Sequence, residues 1–290
     1  MKSKPLRLVA ALSILAASSA WADDPFFFNN GNVNGLMAVA SRPDTGAPFE
    51  IEAADDFVTT GLTTITGASF TGLLTSGAGF PSVADIVIEI YRVFPFDSDT
   101  TRTPQVPTRV NSPSDVAFDS RDAAVAGDLA FATATVQASF TASNSVQSGG
   151  IHATPGQTTG GNGPITGQEV VFNISFARPL TLPANHYFFV PQVQVTDGQF
   201  YWLSSTRPIV APGTPFAPDL QAWTRDANLD PDWLRVGTDI VGGQTFNEAF
   251  SLTGTVAPPV PEPETSALMM LGLAALGLVA RRRRAPRAAR

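Results

Sequence analysis

VADIVIEIYRVF, residues 83–94, sets Ile86, Ile88, Ile90 and Phe94 on one side of an extended chain and Val87, Glu89, Tyr91 and Val93 on the other. Side chains alternate across a strand, so a period of two held over this many residues predicts a β-strand. QEVVFNISF, residues 168–176, repeats the pattern: Val170, Phe172, Ile174 and Phe176 alternate with Glu169, Asn173 and Ser175, as expected for a strand with one buried and one wet face. Outward from these two, strands are predicted over residues 49–58, 63–74, 130–140, 186–195, 199–204 and 246–256. Asp197-Gly198 separates two of them and reads as a two-residue hairpin turn, which needs φ > 0 at both central positions. No long stretch between residues 23 and 257 shows clean 3.6-residue periodicity.

About eight strands punctuated by Gly and Pro predict an all-β body, an antiparallel β-sandwich of jelly-roll type. Strands that must pair are scattered along the chain, so residues 23–257 are read as one body between an N-terminal segment, 1–22, and a C-terminal tail, 258–290. Three intervals lack strand patterning: 95–128, 141–166 and 204–219. The second is nearly all small and polar and is expected to be the most mobile, having little apolar area to offset the entropy of ordering it.

Of the 18 basic residues, three precede residue 23 and six follow Ala280. The body keeps nine Arg, no Lys and 23 acidic residues, a formal charge of −14. Such a body repels phosphate backbones, and no basic stripe interleaved with aromatics is present, so nucleic acid is excluded as an expected partner. The chain has no Cys, which removes disulfides, thiolate nucleophiles and Cys-ligated metals together. A body of this size buries enough apolar surface to fold without disulfides.

Lys2, Lys4 and Arg7 precede the apolar run LVAALSILAA, residues 8–17, and the small-residue site Ala20-Trp21-Ala22 follows. That three-part pattern predicts a cleavable secretory signal with the mature chain starting at Asp23. At the other end, Val260, Pro261, Glu262 and Pro263 lead into an apolar helix expected over residues 265–280, closed by an Arg cluster over 281–290 that begins with Arg281, Arg282, Arg283 and Arg284. The uninterrupted apolar run 267–280 spans about 21 Å as a helix against a hydrocarbon core of about 30 Å, a marginal transmembrane helix. The four adjacent cations are expected to stop transfer and remain cytoplasmic.

Motif, short apolar helix, Arg cluster and terminal position together resemble the PEP-CTERM sorting domain. The resemblance covers about 30 residues, and Glu264 stands where small or hydroxyl residues are more usual. It implies a substrate of exosortase, a membrane-embedded transpeptidase-like enzyme that processes the tail near Pro-Glu-Pro, in a Gram-negative bacterium that makes exopolysaccharide and biofilm. The implied protein is exported, tethered at the inner membrane as a precursor, then passed to the cell surface or the extracellular matrix.

For the body itself two classes of function are expected: a non-catalytic surface or matrix protein, or a carbohydrate-binding module or weak glycan hydrolase. Tyr201, Trp202, Trp223 and Trp233 would stack on sugar rings if they shared an exposed face, although Trp in a sandwich more often packs the core. Asp226, Asn228 and Asp230 place side-chain oxygens at alternate positions, as a calcium loop does, but Pro231 and Gly237 stand where an EF-hand has its Gly and its bidentate Glu. Asx turns leading into a short helical turn at residues 232–235 is the competing reading. His152 and His186, the two histidines, are too few and too separated for a zinc site. No G-x-S-x-G elbow is present. Asp55-Asp56, or Asp97 with Asp99, are carboxylate pairs on which adjacency alone confers no chemistry, and a solvated surface is the expected setting. No cofactor is expected.

Overall fold

The computed structural model describes residues 23–44, 49–75, 83–151, 158–209, 219–258 and 263–283. Among the described residues fourteen strands make two sheets. One contains β1 (Asp24–Asn29), β2 (Val33–Ala40), β4 (Thr63–Thr75), β7 (Leu129–Ala142), β8 (Asn144–Val146), β9 (Ile165–Leu182), β11 (Gln199–Ser205) and β14 (Phe250–Val256). The other contains β3 (Ile51–Thr59), β5 (Val83–Arg92), β6 (Asp119–Asp122), β10 (Asn185–Val195), β12 (Trp223–Asp226) and β13 (Leu234–Arg235). The all-β sandwich predicted from alternation is the observed architecture.

The first sheet runs β1-β14-β4-β11-β2-β8, with β9 on the free side of β4 and β7 beyond β9; the second runs β13-β12-β3-β10-β5-β6. Pairing is antiparallel except between β2 and β8, which run parallel over residues 37–39 and 144–146. β7 leads through Ser143 into β8, so the first sheet curls back over its own outer face before joining β2.

The Asp197-Gly198 turn is not a hairpin. Gly198 has φ +82°, as the turn chemistry requires, but β10 pairs with β3 and β5 while β11 pairs with β2 and β4. The turn therefore carries the chain from one sheet to the other. Turn residues specify a change of direction, and burial of the next strand's apolar face decides which sheet receives it.

The interior between the sheets is aromatic. Phe189 on β10 stacks on Phe250 of β14 at 5.1 Å and meets Trp202 of β11 edge-on at 6.0 Å. Phe70 and Phe172, cross-strand partners on β4 and β9, stack at 4.9 Å. All five rings are at least 97% buried, and each contributes about 1.5–3 kcal/mol by transfer alone. Ile86, Ile88 and Ile90 face this core, as their alternation predicts.

The outer face of the second sheet carries its own apolar cluster of Ala54, Tyr91, Phe188, Val190, Trp223 and Trp233. Part of the interval 95–128 is pinned beside it, because buried Asp232 accepts from Arg102 Nη2 at 2.8 Å, Arg102 Nη1 at 3.1 Å and Gln105 N–H at 3.0 Å. That interval also contains β6. Residues 232–235 form no helical turn: β13 is followed by a single π-helical turn over Val236–Val241.

The interval 141–166 contains β8, and its described parts are tied together. Asn144 Nδ2 donates to Gly160 O at 2.9 Å, Asn162 N–H to Ser145 O at 2.8 Å, and Gln147 N–H to Asn162 Oδ1 at 2.9 Å. His152 lies outside the described residues, as does most of the interval 204–219.

Candidate functional site

The tail follows β14 directly. Pro263 opens a helix, α1 (Pro263–Arg283), that runs past the predicted 265–280 through the first three arginines of the cluster. Proline suits the first helical position, where its missing N–H costs nothing. From residue 268 to residue 281 every side chain is exposed, including Leu268, Met269, Met270, Leu271 and Leu276. Among the described residues no helix is long and apolar enough to cross a membrane, which corrects the expectation of a transmembrane helix here: the 14-residue apolar run 267–280 reaches about 21 Å as a helix, short of a hydrocarbon core of about 30 Å. Val260, Pro261, Glu262 and Arg284 lie outside the described residues, as do Ala20 and Ala22 of the predicted signal site.

The aromatic row proposed for sugar stacking is not formed. Trp202, Trp223, Trp233 and Tyr201 are all at least 97% buried. Trp202 Nε1 donates to Ala249 O at 3.1 Å in the main core, and Trp233 Nε1 donates to Ser114 O at 3.2 Å under the 95–128 segment. Trp223 Nε1 has no hydrogen-bond partner, yet its ring is 98% buried; burial of these amphipathic rings stabilises packing and leaves no face for a ligand.

The calcium candidate is an Asx turn. Asp226 Oδ1 accepts the backbone N–H groups of Asn228 at 3.1 Å and Leu229 at 3.0 Å, while Asp230 turns to Arg225 at 2.8 Å. Asp226 and Asp230 thus spend side-chain oxygens on the chain itself, and Asn228 donates Nδ2 to Asp226 Oδ2 at 3.5 Å. Asp97 pairs with Arg92 at 3.2 Å and Asp99 caps Thr101.

Asp55 and Asp56 are not on a solvated surface. Asp55 is fully buried between the sheets, where its Oδ2 accepts from Asn30 Nδ2 at 2.6 Å and from the Glu248 N–H at 2.7 Å. Asp56, on the opposite face, meets His186 Nε2 at 2.6 Å and accepts the Leu220 N–H at 2.9 Å. Burial pushes both carboxyls up, and for Asp55 the charges of Asp56 and Glu248 add to it. Glu248, itself fully buried with both side-chain oxygens unpartnered, is raised by burial alone.

Two further polar sites carry no signature in the sequence. On the outer face of the second sheet, Glu50, Glu52 and Glu89 bring carboxylate oxygens within 4.8 Å of one another. Arg225 pairs with Glu52, donates to Tyr91 Oη at 2.8 Å, and lies 4.4 Å from the Trp233 ring. Tyr91 Oη is 2.7 Å from Glu52 and 2.9 Å from Glu89. The phenolic proton can be given to only one of these carboxylates at a time. Burial raises Glu52 to about 7, with Arg225 pulling it back and Glu89 adding to the rise. The guanidinium already supplies the cation of this network.

The second is a trough of about 520 Å³ on the outer face of the first sheet. Ser69 and Thr71 of β4, Glu169 and Val171 of β9 and Ser251 of β14 form its floor, Asn32 stands on one side, and Val136, Gln137 and Phe140 of β7 stand on the other. The curl of β7 towards β2 makes this face concave. Glu169 is 95% buried, Gln137 hydrogen-bonds it, burial raises its carboxyl, and its Oε2 has no partner.

Eight of the nine body arginines form ion pairs with body carboxylates. Arg42 donates to Phe49 O at 2.9 Å.

Residues 259–284 match the family model of the PEP-CTERM protein-sorting motif. The match coincides with the tail whose Pro-Glu-Pro, apolar run and arginines carry the resemblance. No curated protein and no solved structure matches the chain.

Proposed function

We propose that this chain is a non-catalytic cell-surface or matrix protein of a Gram-negative bacterium, sorted and processed through its tail and associated in its final location with exopolysaccharide or biofilm. The observation that carries the reading is the PEP-CTERM motif at residues 259–284, placed after the last strand of a self-contained sandwich. Residues 257–262 hold three prolines, which disfavour helix or inner strand between β14 and α1 and would leave backbone accessible to a processing enzyme of the exosortase type. A signal peptide over residues 1–22 delivers the body across the inner membrane, and the tail then brings the precursor to the membrane-embedded enzyme.

A binding role for the body, in place of a purely structural one, is favoured by the concave trough. A hydrolytic role is not favoured there, because glycoside hydrolysis uses two carboxyl groups about 5–9.5 Å apart and Glu169 is the one carboxylate among the lining residues.

The test compares the full chain, a chain lacking residues 258–290, and a chain with Arg281–Arg284 replaced by Gln, in an exosortase-positive host and its exosortase-deficient derivative. Tail cleavage is expected for the full chain in the positive host alone, with the two variants misplaced. Identical location and retention of the truncated and full chains would overturn the sorting role.

A further inference from the structure

We propose that the trough on the outer face of the first sheet is a binding subsite for a neutral oligosaccharide, with Glu169 and Gln137 as its central hydrogen-bonding residues. The proposal rests on the reading that the exported body meets exopolysaccharide, and names the place and the ligand class.

Size comes first. A concavity of about 520 Å³ falls within the range of about 300–1,000 Å³ occupied by small-ligand sites. Its chemistry selects the ligand. Hydroxyls and amides from Ser69, Thr71, Ser251, Asn32 and Gln137 line it, with Val136, Val171 and Phe140 as apolar patches. That mixture fits a molecule whose edges are hydroxyls and whose faces are C–H. No Arg or Lys lines the trough, and the body is strongly acidic, so a polyanionic glycan would enter without a counter-charge and against repulsion.

Glu169 points to a ligand independently of the cavity. It is 95% buried and its Oε2 has no donor, and a buried acceptor left unsatisfied costs about 1–3 kcal/mol. Oε2 is closed to solvent as the side chains stand, so a sugar hydroxyl would be the donor that offsets this once the exposed Gln137 side chain moves aside. The β7 wall is shaped for the same purpose. The register against β9 slips between Thr135 and Gln137, leaving Val136 unpaired and 54% exposed at the rim while Gln137 lies opposite Glu169. Bulges of this kind re-aim side chains beside functional sites.

The experiment titrates the purified full chain by calorimetry with cellohexaose, laminarihexaose and N-acetylchitohexaose, and with oligogalacturonate as the anionic control. At least one neutral hexasaccharide is expected to bind, and oligogalacturonate is expected not to. Glu169→Ala should weaken binding by about tenfold or more, the loss of one buried polar contact, and Thr71→Trp, which fills the floor, should abolish it. Thr71 is partly exposed, so this variant should keep the wild-type circular dichroism spectrum even if Glu169→Ala fails to fold. The subsite is overturned if no neutral hexasaccharide binds, if binding survives Thr71→Trp unchanged, or if oligogalacturonate binds as tightly. Any of these outcomes with tail-dependent sorting intact removes the subsite alone; loss of tail-dependent sorting removes the parent reading.

Discussion

Asp55 and Asp56 are neighbours on β3 and belong to two separate networks on opposite faces of one sheet, the first bonded to Asn30 and the Glu248 N–H inside the sandwich, the second to His186 outside the core. Both carboxyls are pushed up by burial, as are Glu52, to about 7, and Glu248. A body with a formal charge of −14 thus folds around acids that hold their protons more tightly than they would in water.

The first consequence is a pH dependence of stability. A carboxyl raised in the folded state above its unfolded value near 4.5 holds a proton the unfolded chain has lost. Its contribution is fully present below about 4.5 and disappears as pH rises through about 7, for Glu52 on the order of 1–3 kcal/mol. Asp55 and Glu248, also raised by burial, act in the same direction. Asp128, lowered by its bond to Arg178, acts oppositely below its ordinary value of 3.8. The thermal midpoint followed by calorimetry should therefore fall between pH 5 and pH 8, and Glu52→Gln should flatten part of the slope. A midpoint rising across that interval would contradict the assignment.

Arg225 is the single guanidinium paired with buried Glu52. Arg225→Met leaves that carboxylate uncompensated and should cost about 3–5 kcal/mol in urea denaturation, whereas the double variant with Glu52→Gln should recover most of the loss. Equal losses in the single and double variants would show that the pair is not coupled.

Gly72 of β4 lies opposite Trp202 of β11. A Cβ there would stand 2.5 Å from Tyr201 O and 2.2 Å from Phe200 Cε2, so Gly72→Ala should destabilise by about 1–3 kcal/mol or more through overpacking. At Gly149 an added Cβ meets nothing within 4 Å, and Gly149→Ala should change the denaturation midpoint little. Similar shifts for both would refute the close approach.

β1 begins at Asp24, one residue past the start expected from cleavage after Ala22. Mass spectrometry of the exported protein should find Asp23 at the N-terminus, and a mature chain starting at Met1 would refute signal cleavage.

The strands legible in the sequence were those whose alternation is clean. β5 and β9 declare themselves because Ile86, Ile88 and Ile90, and Val170, Phe172 and Ile174, fill every second position. β2, VNGLMAVA, was missed because Asn, Gly and Ala dilute the pattern although its last four residues are buried. β1 was missed because the six residues DPFFFN are largely exposed at an edge. Asp197-Gly198 revealed its φ but not its destination. The fates of Asp55 and of Arg225 are set by Glu248, 193 residues away, and by Glu52, 173 residues away, and local pattern has no access to such distances. The trough has the same origin, since β1 to β2, β4, β7, β9 and β14 each supply a part. The sorting tail was legible because its information is local.

β1 and β14 are the first and last strands of the body and pair antiparallel, Asp24 opposite Val256, with β4 on the other flank of β14. A tail held at the envelope would pull on the C-terminal end of β14. The ladder bonds on both sides lie perpendicular to that strand, so tension along it is shared by six residue pairs with β1 and seven with β4, loaded together in shear and not peeled open singly. Tension applied through the tail would thus meet both ladders of β14 at once.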